Sequence, residues 1–122
     1  MFTSNHKAIE KLIHNYFEGI FYGDIVKLKN CFHQNAILYG DIEGIDRIQN
    51  MEVYLEAVGK RQSPNDLGES LRMKIIGVDI LGKTAMVKLH VPMLEYNYYD
   101  YLSLYKGKEG WKIVNKLYTH VN

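Results

Sequence analysis

The stretch YNYYDYLSLYKGKEGWKIVNKLY, residues 96–118, decides the fold. Tyr98, Leu102 and Leu104 alternate with Tyr99, Tyr101 and Tyr105, the period-two pattern of an extended strand. Lys106 to Gly110 carries two glycines and turns the chain, and Trp111 to Tyr118 resumes as a second strand. Reading backwards, Ala85, Val87, Leu89 and Val91 alternate again, and Pro92 ends that strand, where a missing N–H is tolerated. Leu81-Gly82-Lys83 is a tight turn. Leu71, Met73 and Ile75 continue the alternation from Glu69, and Val78 and Ile80 resume it after a slip at Ile76-Gly77 that predicts a bulge. The second half of the chain is therefore a meander of four long antiparallel strands.

The first half reads differently. Ile9, Leu12, Ile13, Tyr16, Phe17, Ile20 and Phe21 recur at three-four spacing and form one apolar helix stripe. Ser4 is placed to cap its first turn, and Gly23 to end it in the left-handed conformation. Asp24 caps a shorter helix expected to bury Ile25, Leu28 and Phe32. Ala36 to Tyr39 is a short strand, and Gly44 turns the chain into another, Ile45 to Gln49. Asn50 caps a third helix in which Val53, Tyr54, Ala57 and Val58 share a face, and Arg61 to Gly68 is a loop. Helices followed by a meander make an α+β domain over residues 1–122, with helices covering one sheet face. The last two strands are apolar on both faces, which predicts a homodimer through the uncovered sheet face.

Composition narrows the function classes. The 122 residues carry 15 Lys plus Arg against 14 Asp plus Glu, a net charge of +1, so no broad field draws nucleic acid or an anionic membrane. One cysteine, Cys31, excludes an internal disulfide and fits a reducing compartment. Met1 to Lys11 lacks the apolar core of a signal peptide, and a cytoplasmic protein is expected. No His/Cys cluster or glycine-rich phosphate loop is present, so neither a metal nor a cofactor is expected.

Two segments carry a resemblance. Tyr16 to Gly23-Asp24, the helix to Phe32-His33, and Ala36-Ile37-Leu38 resemble the opening of the nuclear transport factor 2-like superfamily. Asp100-Tyr101-Leu102-Ser103-Leu104 and Gly110-Trp111-Lys112-Ile113-Val114-Asn115-Lys116 resemble its lumazine-binding branch. The resemblance implies a cystatin-like cone, a curved antiparallel sheet wrapped around a long N-terminal helix, with a pocket at its open end. The superfamily holds enzymes, binders and assembly domains, so the fold leaves the activity open. Set against ketosteroid isomerase, a member of it, Tyr16 matches the oxyanion-hole tyrosine and Asp100 the protonated acid. The general base's position holds Gly40, with Asp41 beside it, so that enzyme's reaction is not expected.

Asp100 interrupts an apolar strand on the face of Tyr98, Leu102 and Leu104. Unpaired there it would cost several kcal/mol. It is therefore protonated, bonded to a tyrosine, paired with a base such as Lys116, or at a pocket rim; a purely structural partnership and a ligand contact both satisfy this. Tyr16, Tyr39, Tyr54 and Tyr98, with Asp100, are the candidate ligand-binding set, lining an apolar, tyrosine-rich pocket suited to a small organic ligand such as a flat heteroaromatic. Two alternatives stand beside this binding role. One is a lyase, isomerase or cyclase acting on an enolisable carbonyl compound, with Asp100 and Tyr16 as acid and oxyanion donor and Asp41 or His33 as base. The other is a dimeric assembly domain with a filled cone.

Overall fold

Helix α1, Phe2–Tyr22, forms because its apolar stripe has a sheet to lie on. Ile9, Ile13, Tyr16, Phe17, Ile20 and Phe21 are all buried. The computed structural model of the protein describes residues 2–122, with side chains from Ser4 onward. Ser4 lies inside α1 rather than at its cap, because the helix already begins at Phe2. At the other end Gly23 takes φ +66°. Its N–H donates to the Ile20 carbonyl and that of Asp24 to the Gly19 carbonyl at 2.9 Å, the paired closing bonds of a Schellman turn.

Asp24 then caps α2, Ile25–Cys31, its carboxylate accepting from the Lys27 N–H at 3.1 Å. Leu28 and Cys31 are the buried residues of α2. Ile25 is 42% exposed, contrary to the sequence expectation, and Phe32 is buried as the first residue of the next strand. Both misplacements come from a helix of two turns with apolar residues on more than one side. Strand β1, Phe32–Ile42, and strand β2, Ile45–Asn50, form a hairpin around Gly44 (φ +80°). Asn50 caps α3, Met51–Lys60, by accepting from the Val53 N–H at 2.9 Å. The buried side of α3 is Met51, Tyr54 and Val58; Val53 and Ala57 are exposed.

The meander is β3 (Lys74–Leu81), β4 (Thr84–Met93), β5 (Tyr96–Gly107) and β6 (Gly110–Val121). It starts at Lys74 rather than Glu69, and Leu71 is exposed. Glu69 instead uses its carboxylate to accept from the Leu94 N–H at 3.0 Å, tying the long loop to the β4–β5 turn. The bulge near Ile76-Gly77 is present as a register shift against β4. The six strands run in the order β2-β1-β6-β5-β4-β3. Every pairing is antiparallel except β1 with β6, which is parallel and brings the first and last strands together mid-sheet.

A second bulge was not legible in the sequence. Ser103 pairs with Asn115 but Leu104 with Ile113, which leaves Val114 without a partner residue. An extra residue reverses the inside-outside alternation of everything beyond it. Trp111 and Ile113 face in before the bulge; Lys116 is buried after it, while Leu117 is 45% exposed. Together with Val87, Leu89, Leu102 and Leu104, these inward residues and α1 form one apolar core. Each fully buried Leu or Ile contributes roughly 1.5–3 kcal/mol. Among the described residues no helix is long and apolar enough to cross a membrane.

Candidate functional site

The alternation of β5 turns Tyr98, Asp100, Leu102 and Leu104 inward. Asp100 sits opposite Tyr118 on β6 and Leu102 opposite Lys116. Asp100 and Lys116 are thus diagonal neighbours on one face, within reach of a long side chain. The Lys116 Nζ lies 3.9 Å from the Asp100 Oδ2. From α1, the Tyr16 hydroxyl donates to that same oxygen at 2.6 Å. From α3, the Tyr54 hydroxyl accepts from Lys116 at 3.4 Å. The ammonium is also surrounded by rings, 5.3 Å from the centroid of Tyr16, 5.0 Å from Tyr54 and 5.1 Å from Tyr118. A desolvated cation over aromatic faces is stabilised by their quadrupoles, by about 2 kcal/mol in dry surroundings.

Asp100 is 2% exposed and Lys116 5%. Two charges taken this far from water survive only as a pair with further hydrogen bonds, and Tyr16 and Tyr54 supply them. Burial, reinforced by the Asp100 charge, holds the Tyr16 hydroxyl well above the usual phenol range, so it stays a donor. Burial alone would push Lys116 down, but Tyr54 and Asp100 outweigh it and leave its ammonium above the ordinary lysine value. The Tyr98 phenol is pushed up to about 12, chiefly by burial.

Beside this cluster is a cavity of about 100 Å³. Its walls include Tyr54, Tyr98, Tyr118, Asp100 and Lys116, and towards the outside Arg47, Gln49 and Arg61. Four of the five residues expected to bind ligand therefore meet here, in two layers. Tyr54, Tyr98 and Asp100 face the cavity, whereas Tyr16 stands behind Asp100 and positions it. Tyr39 is elsewhere: it is 47% exposed on the outer face of β1, opposite Ile48. The lining is mixed where a mostly apolar one was expected: Ile42, Ala57, Val91 and Met93 share it with three cationic side chains and a carboxyl. Sequence reading had Lys116 only as a counter-ion, and missed Arg47 and Arg61; no local pattern marks either arginine.

Gly40 explains the shape of one wall. A Cβ built on it would lie 2.1 Å from the Tyr118 ring, so the ring occupies the space of the absent side chain. Where the resemblance aligns a general base, this chain has the flat side of a tyrosine. Asp41 points away, its carboxylate accepting from the Gly44 N–H at 2.7 Å and from the Thr119 hydroxyl at 3.2 Å. His33 is exposed and accepts from the Asn35 N–H at 3.0 Å. It borders a separate groove of about 600 Å³ with Phe32, Met51 and Leu55. That groove is larger, but the buried ionisable groups converge on the small cavity. Neither expected base reaches it. Among the described residues, no three of His, Cys, Asp and Glu are grouped as metal ligands.

Comparison with known proteins agrees with this architecture. A family model described as "Putative lumazine-binding" matches residues 4–119. The aldolase FrzH from Cladobotryum sp. is 27% identical over 121 residues, covering 95% of this chain and 91% of that protein. A nuclear transport factor 2-like protein of unknown function from Shewanella baltica superposes with a TM-score of 0.85 at 20% identity, over 100% of this chain and 98% of the other. A domain with a cystatin-like fold from Nostoc punctiforme gives 0.70 at 15% identity, over 98% and 79%. The strands, the helix they enclose and the match along nearly the whole sequence lead to one conclusion: the chain belongs to the "Putative lumazine-binding" family and has the nuclear transport factor 2-like fold.

Proposed function

We propose that the protein binds a small organic molecule at the cavity beside Asp100. The observation that carries this reading is a buried carboxyl on a cavity wall, held from behind by Tyr16 and flanked on the wall by Lys116. A filled assembly domain has no need of such a wall. Because liquid water occupies about 30 Å³ per molecule, about 100 Å³ holds only a few heavy atoms. A flat heteroaromatic ligand therefore enters by one polar edge, with the rest of its ring against Tyr98 and the mouth. The test is native mass spectrometry of the purified protein, wild type against Tyr98→Ala, which removes an aromatic wall of the cavity. A retained organic species that is lost from a still-folded variant supports the reading; retention undiminished in the variant overturns it.

The likeness to an aldolase favours a second reading, an enzyme acting on an enolisable carbonyl compound. Asp41 and His33 do not serve it, as both are turned from the cavity. Asp100 is the one carboxyl on the wall, so it would remove the α-proton while the Lys116 ammonium and Tyr54 hydroxyl hold the enolate oxygen. Exchange of α-protons of acetone and pyruvate in D2O, followed by NMR, checks this. Protein-dependent exchange abolished by Asp100→Asn supports the enzyme; no exchange above buffer rejects it.

A homodimer through the sheet fits the outer face. Ile48, Tyr39, Leu117 and Tyr101 are exposed and are direct neighbours across β2, β1, β6 and β5, an apolar row without a cover in the chain itself. Sedimentation velocity of Leu117→Lys against wild type tests it. A cytoplasmic setting fits the single cysteine, a buried thiol that burial pushes up to about 11 and so keeps unreactive.

A further inference from the structure

Arg61 leaves the end of α3, where its backbone N–H closes the helix on the Ala57 carbonyl at 3.2 Å. Its side chain turns to the cavity. The Nε of its guanidinium is buried and has no hydrogen-bond partner, the one buried side-chain polar atom in that condition among the described residues. An arginine does not escape by losing its proton. A buried donor without an acceptor costs about 1–3 kcal/mol, and more when charged. Arg47 lines the same cavity from β2. No ion pair among the described residues involves either arginine. Three acidic groups nearby are engaged: Asp100 with Tyr16 and Lys116, Glu43 with the Tyr96 hydroxyl, and Asp41 with the β1–β2 turn. Asp46, beside Arg47 on β2, is exposed and not on the cavity wall. Arg47, Arg61 and Lys116 against Asp100 thus leave the cavity with an excess of two positive charges.

We propose that the cavity is an anion site, and that the polar end of the ligand is a carboxylate received by Arg61 with Arg47. This rests on the binding role proposed above and names the ligand class. A carboxylate is flat, matches the guanidinium fork with two parallel hydrogen bonds, and fits between tyrosine faces in a space of this size. Arg61 supplies the donor that is otherwise orphaned, and Arg47 adds charge from a more exposed position. The excess positive charge also bears on Tyr98, whose ionised form both arginines favour against the effect of burial.

The experiment is an NMR titration of labelled protein with benzoate and with benzamide, a pair of equal shape and different charge. Benzoate is expected to move the resonances of Tyr98, Asp100 and Lys116 and the Arg61 Nε–H, and to bind at least tenfold more tightly than benzamide. Arg61→Gln is expected to reduce that preference to below threefold by weakening benzoate far more than benzamide; Arg47→Gln reduces it less. Equal binding of both probes at these residues, or a preference untouched in both variants, overturns the anion site and leaves the pocket. Absence of any shift at the cavity with either probe overturns the pocket as well. Should Arg61→Gln fail to fold, Arg47→Gln alone decides, and an unchanged preference there counts against the proposal.

Discussion

The two ends of the space enclosed by α1 and the sheet are built from the same elements with opposite chemistry. At one end Ile9 and Ile13 of α1 share an apolar core with Leu102 and Leu104 of β5 and Trp111 and Ile113 of β6. Towards the other end the same helix and strands supply Tyr16, Tyr98, Asp100, Lys116 and Tyr118, around a cavity. The changeover on β6 coincides with the bulge at Val114. Had Val114 paired with Ser103 in an unbroken ladder, Asn115 and Leu117 would face inward and the ammonium would point to solvent. One inserted residue therefore separates a stretch devoted to packing from a stretch devoted to polar groups. Stability resides mainly in the first, and the second carries buried charge at a cost that only complete pairing offsets.

The largest effect is expected from breaking the pair at the polar end. Asp100→Ala leaves Lys116 and the Tyr16 hydroxyl without their common partner, and urea unfolding should show a loss of about 3–5 kcal/mol. Replacing both charges, as Asp100→Leu with Lys116→Met, should cost less than the single change. A double variant as unstable as the sum of its parts would show that the two groups are not coupled. Next comes Gly40→Ala, whose new methyl must displace the Tyr118 ring towards the cavity. A destabilisation of about 1–3 kcal/mol is expected from the overpacking, together with loss of ligand binding, and Tyr118→Ala in the same chain should recover most of the stability.

Alkaline pH gives a gentler probe of the same end. Tyr16, Tyr98 and Tyr118 are raised above the ordinary phenol value by burial. Lys116 is raised by its neighbours. In each case the folded protein holds a proton that the unfolded chain releases first. Stability should be level below about pH 10 and fall as pH rises beyond it, the unfolded chain binding fewer protons there. Urea midpoints across that range, with Tyr98→Phe flattening the decline, check the sign. The smallest effect is expected outside the enclosed space: Tyr39→Ser should change monomer stability by no more than about 0.5 kcal/mol and leave binding at the cavity unaltered.

What could be read from the sequence was local. The β3–β6 meander, the caps at Asp24 and Asn50 and the turns at Gly23 and Gly44 each announce themselves within a few residues. Asp100 was legible as an inward carboxyl because the strand around it alternates without interruption. Tyr39 was not, since Ala36-Ile37-Leu38-Tyr39 is apolar at every position and allows either parity. Lys116 and Tyr118 needed knowledge of the Val114 bulge, which exists only through pairing with β5. The two arginines come from β2 and from the end of α3, and tertiary folding alone makes them neighbours.

The parallel pairing of β1 with β6 has a consequence for how the chain is made. β1 cannot pair on its inner side until β6 has emerged from the ribosome, so the β1–β2 hairpin must wait through synthesis of the whole meander. Such long-range closure slows folding and leaves strand edges uncovered meanwhile. A nascent chain halted before β6 is thus the species most in need of a chaperone.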